Sequence, residues 1–191
     1  MMRQAPIPNV WAKLESTEHL LHLARAFMTF FPTLFEDVQK KCDYTARVCY
    51  ALISPTPRTH DWTQFPTGAT NETDFATPRS IDELRQVLEH LHTSLGNMLV
   101  FVRVKFSATT DGHSLLLVKR NGEIATFQSF IGCAELDLYP GDMLTHFLAN
   151  WDQNGDQPFV VTPKTFDIHC EVQPTFTCTE ISFYVYRCDL A

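Results

Sequence analysis

An α+β fold is predicted by three features of the chain. Apolar residues recur at helical spacing through the first half, and they alternate around a hairpin signal in the second. No run of apolar residues is long enough to span a bilayer. The expected arrangement is N-terminal helices packed on a C-terminal antiparallel β-sheet, as one domain over residues 1–191. Lys and Arg total 15 against 22 Asp and Glu, a formal charge of −7. That balance argues against a general nucleic-acid binder, whose phosphate contacts need a basic surface, and against docking on an anionic membrane. The apolar stretch Leu20 to Phe31 is broken by His22 and Arg25, which does not suit a signal peptide. A soluble, cytoplasmic protein is the expectation.

The elements follow in order. From Ser16 to Phe31, residues Leu20, Leu23, Ala24, Phe27, Phe30 and Phe31 fall on one helical face. Phe27, Phe30, Phe31 and Phe35 make an aromatic stripe that reads as core. Pro32 punctuates, and a short helix is expected from Thr33 to Lys40. Cys42 to Ile53 is amphipathic, with Cys42, Ala46, Cys49, Tyr50 and Ile53 as its stripe and Asp43 and Arg47 as an i,i+4 pair. Ser54 to Pro78 holds four prolines and no periodicity, so it is a long loop, a kind of segment that is often functional. Ser80-Ile81-Asp82-Glu83 is a capping box, opening a helix whose stripe is Ile81, Leu84, Leu88, Leu91 and Leu95, with Gly96 placed to end it. Strands are expected at Met98–Phe106, His113–Lys119, Glu123–Phe130, Phe159–Val161, Thr165–Val172 and Ile181–Arg187, with a helix from Tyr139 to Trp151.

The most informative stretch runs from Asp111 to Ser129. Asn121-Gly122 is a strong signal for a two-residue hairpin turn, which sets Arg120 opposite Glu123. In that register Leu117 faces Thr126, Leu115 faces Gln128, and His113 faces Phe130. His113 and Gln128 then share a face as diagonal neighbours, about 7–8 Å apart or somewhat less between Cβ atoms. A Gln side chain can span that distance and accept a hydrogen bond from one imidazole nitrogen, fixing the tautomer that a general base requires. Cys42, at the start of its helix beside Lys40 and Lys41, supplies a candidate nucleophile, because the helix dipole favours a thiolate.

A Cys at a helix start, a His opening a strand and a polar residue one hairpin later resemble the papain-like cysteine peptidase superfamily, in particular its compact viral and bacterial toxin or effector branches. The resemblance covers about residues 40–130. It implies that Cys42 is the nucleophile, His113 the base and Gln128 the orienting residue of a thiol-dependent amide or peptide hydrolase or acyl transferase. It implies a protein or peptide substrate and no cofactor or metal, and it allows a host cytoplasm as the place of action. Gln128 stands where the family usually has Asn or Asp, and no Gly or Trp flanks Cys42. The backbone N–H of Cys42, with Gln39 nearby, is the candidate oxyanion donor.

Plainer readings stand beside these. Cys42 also fits an ordinary core thiol, His113 a strand-start residue, and Gln128 a solvated strand residue. The whole chain also fits a non-catalytic α+β protein-binding module with a degenerate papain-like site. His90 and His92 read as surface residues, and His19 and His22 do not make a convincing metal site. None of the six cysteines forms a CxxC pair and no secretory entry signal is apparent, so they read as mostly reduced core thiols, with a disulfide-stabilised extracellular protein as a third alternative.

Overall fold

A computed structural model describes residues 16–30, 42, 46, 49–50, 78–107, 112–130, 137–155, 157–171 and 174–190. The expected helix Thr33–Lys40, the loop from Ser54 up to Pro78, Gln39, Cys133 and most of the Phe27–Phe35 side chains lie outside the described residues. The architecture is α+β. The helices are α1 (Thr17–Phe30), α2 (Ile81–Thr93) and α3 (Met143–Asn154); Cys42, Ala46, Cys49 and Tyr50 are also helical. The strands are β1 (Asn97–Lys105), β2 (Gly112–Arg120), β3 (Glu123–Gln128), β4 (Asp137–Pro140), β5 (Phe159–Val161), β6 (Phe176–Cys178) and β7 (Ser182–Leu190). Five of them form an antiparallel sheet in the order β4-β3-β2-β1-β7, while β5 and β6 pair separately.

The β2–β3 register follows from the turn. Asn121 and Gly122 both have positive φ (51° and 86°), the conformation that a type I′ turn needs, and Arg120 pairs with Glu123. Side chains therefore alternate by parity. His113, Leu115, Leu117 and Lys119 share a face with Val104, Val102, Val100 and Met98 across the β1 ladder. Leu84, Leu88 and Leu91 of α2 and Met143, Leu144, Phe147 and Leu148 of α3 pack on that face. The other face carries buried Leu99, Phe101, Leu116, Val118, Phe127 and Tyr186. Tyr50 packs there: its hydroxyl lies 3.2 Å from that of Tyr186, with the rings edge-to-face.

Three expectations are corrected. The expected strand Thr165–Val172 is not formed by its described residues, 165–171. Pro163 opens a 3-10 turn, Pro163–Phe166, in which Thr162 and Thr165 cap one another, and Asp167 at φ 55° ends it. The helix after the hairpin starts at Met143 rather than Tyr139, because Asp142 is its N-cap and accepts from the Leu144 and Thr145 backbones, while Tyr139 stays in β4. The α2 stripe stops at Leu91: Ser94 turns extended (ψ 148°), and Leu95 projects fully into solvent instead of waiting for Gly96 to end the helix.

Candidate functional site

Gly112 is required at the entry to β2, since a Cβ there would collide with the Val104 carbonyl oxygen. That close approach sets His113, the next residue, against Val104 on the core-facing side. Gln128, at the end of β3, pairs with Leu115 and so sits diagonally from His113. The two side chains meet: His113 Nε2 and Gln128 Oε1 are 3.1 Å apart. On its other side the Gln128 Nε2 donates to the Phe166 carbonyl at 2.7 Å. The imidazole packs against both Phe130 and Phe166, with ring centroids at 4.9 and 4.3 Å, and the two Phe rings also touch each other at 5.9 Å. Phe166 is in turn stacked on Phe147 of α3 at 5.0 Å.

This environment fixes the electrostatics. His113 is 1% exposed, and Gln128 is completely buried. Removing the ring from water disfavours its charged form, and the bond to Gln128 only partly offsets this, so its pKa falls from the ordinary 6.5 to about 4. Near neutral pH the ring is uncharged, with one protonated and one bare nitrogen. Nδ1 is buried and finds no hydrogen-bond partner among the described residues. A buried acceptor left unpaired is uncommon in native proteins and calls for a physical reason.

The fold thus brings His113 and Gln128 together as expected. Cys42 is not disulfide-bonded and is of intermediate exposure, and Cys49 and Tyr50 are buried. Burial pushes the Cys49 and Cys178 thiols up to about 12, so neither is an activated thiol. Cys170 is disulfide-bonded, contrary to the expectation of reduced core thiols. Of the other carboxylates near the hairpin that could orient a histidine, Asp142 is engaged at the α3 N-terminus and with His92 Nε2 at 3.1 Å, and Asp137 accepts from the Leu138 backbone.

Two contributors are not among the candidate residues. The Phe166 carbonyl belongs to a turn whose residues alternate like a strand, which hides its role. Lys119 is 4% exposed, and its Nζ donates to the carbonyls of Leu91, His92 and Ser94 at the end of α2. A signal for Lys119 does exist: strand parity sets it on the same side as Leu115 and Leu117. Among the described residues no group of three or more His, Cys, Asp or Glu could hold a metal ion, and no helix is long and apolar enough to cross a membrane. No family model, curated protein or solved structure matches the chain.

Proposed function

We propose that the chain is a thiol-dependent amide or peptide hydrolase or acyl transferase with a papain-like arrangement, in which Cys42 attacks, His113 moves the proton and Gln128 holds the ring. The observation that carries this reading is a His113 Nδ1 with no hydrogen-bond partner among the described residues, behind a Gln128-bound Nε2. A thiol donor would satisfy that buried lone pair. Tyr50 packs on the sheet face opposite His113, and the reading requires the Cys42 thiol to reach Nδ1 round the end of the sheet.

In this reaction the thiol proton passes to Nδ1 and the sulfur bonds to the carbonyl carbon of the substrate. The C–N bond then breaks as the imidazolium returns its proton to the leaving amine. Water, deprotonated by the same nitrogen, releases the acyl group from sulfur, or an amine takes it in acyl transfer. A thiolate beside the ring would raise the low pKa of His113 and make it a competent base. The substrate is a protein or peptide, and the site of action a cytoplasm, that of a host included. The disulfide at Cys170 is the feature that favours an oxidising compartment instead.

A second reading, a non-catalytic protein-binding module, is favoured by the burial of His113 in a cluster with Phe130 and Phe166. Alkylation separates the two. With iodoacetamide at pH 6, Cys42 should react ahead of every other cysteine, and His113→Ala should slow it about tenfold or more, as expected when a neighbouring base that lowers the thiol pKa is lost. Slow labelling of Cys42 that His113→Ala leaves unchanged would overturn the thiol-dependent reading and leave the binding module standing.

A further inference from the structure

We infer that the backbone carbonyl of Phe166, at the end of the 3-10 turn, decides which nitrogen of His113 carries the proton, so that this turn is a positioning element of the site. A Gln amide has one accepting and one donating end, and either could in principle face the imidazole. The Phe166 oxygen only accepts. At 2.7 Å it requires the Gln128 NH2 on its side, because two acceptors at that distance repel. The Oε1 end is then turned to His113 Nε2, which has to carry the proton, and Nδ1 is left bare.

The carbonyl is available for this because of how the turn stops. Asp167 adopts φ 55°, and its N–H closes back on Lys164, while the Ile168 N–H closes on Pro163. The chain leaves before any later N–H of the turn comes to the Phe166 oxygen. That oxygen, on a fully buried residue, finds its donor in Gln128. Stacking of Phe166 on Phe147 fixes the turn to α3. The order of control therefore runs from α3 to the turn, from the turn to the amide, and from the amide to the ring.

The catalytic consequence rests on the thiol reading above, but the tautomer does not, and the test uses neither turnover nor Cys42. In 15N spectra of the histidine rings of the full chain at pH 7, His113 should show a protonated Nε2 and an unprotonated Nδ1. A ring protonated at Nδ1 would overturn the inference outright. The second measurement is the stability of Gln128→Glu relative to wild type between pH 5 and pH 8. Only a protonated carboxyl can donate to the Phe166 oxygen, so the fold raises the pKa of the introduced group above its unfolded value of about 4.3. Its stabilising form is complete below that value and is lost as pH rises, by up to tenfold in the folding constant per pH unit. Gln128→Glu should therefore lose stability against wild type from pH 5 towards pH 8. A variant that tracks wild type across that range would show that the carbonyl does not set the amide. If Gln128→Glu does not fold, the wild-type ring spectrum decides alone.

Discussion

The two ends of β2 hold two buried polar side chains on the same face of the sheet, and they are treated in opposite ways. At one end Lys119 has three donors and gives them to three carbonyls of the α2 terminus, which leaves nothing over. At the other end His113 has one nitrogen bonded to Gln128, while the second has no partner among the described residues. A side chain whose hydrogen-bonding capacity is used up holds structure together. A side chain buried with capacity in hand is a stability defect unless something else draws on it. The comparison therefore separates a residue whose hydrogen bonds hold two elements together from one that keeps a nitrogen in reserve among the described residues.

Lys119→Met should have the largest effect. It keeps the aliphatic stem but strands three carbonyls at a helix end, a loss of about 3–4 kcal/mol if the buried one is left unsatisfied and the others are partly hydrated. Chemical denaturation measures it, and a loss under about 1 kcal/mol would mean that water replaces the amine at no penalty. Acid comes next. The folded pKa of His113 lies near 4 and the ordinary value at 6.5, so unfolding takes up a proton between them. The stability associated with the neutral ring is complete above pH 6.5 and is lost as pH falls towards 4, by about 3 kcal/mol in all. His113→Leu should remove that part of the pH dependence. An unchanged acid profile would show that the ring is hydrated in solution. The smallest effect is that of Gln128→Met, at about 2 kcal/mol, which leaves both the His113 Nε2–H and the Phe166 carbonyl without partners. A melting shift indistinguishable from zero would mean that those two groups find each other or water.

Legibility in the sequence divides along a physical line. Asn121-Gly122 encodes its turn in two residues, and a turn of known length sets the register and the face of every residue on both strands. The His113–Gln128 contact is therefore legible from the residue order alone, as is the capping box at Ser80. The 3-10 turn is not. Phe166, Ile168 and Cys170 alternate like a strand and are buried like one. Only the mutual capping of Thr162 and Thr165 and the left-handed Asp167 break the pattern, and those are matters of backbone conformation. Helix ends behave similarly. Asp142 is a residue type that caps helices, but Leu138 and Tyr139 suit either period, so the pattern places the helix start at Tyr139, inside β4. Cys42 shows the remaining limit. Chain order and helix position nominate it, whereas its distance from His113 depends on packing across the sheet, which no local pattern contains.

The attachment of α2 has a consequence for how the molecule breathes. Just before its first turn, Arg79 exchanges both backbone hydrogen bonds with Phe183 of β7, and after its last turn Lys119 of β2 holds the departing carbonyls. A helix joined to its sheet along one side only can peel away from either tip. This one is fastened at both tips, to strands on either side of β1, and so it opens only when the sheet itself comes apart. Deuterium should therefore enter its terminal turns as slowly as its middle, and α2 and the sheet should melt as one unit rather than in succession.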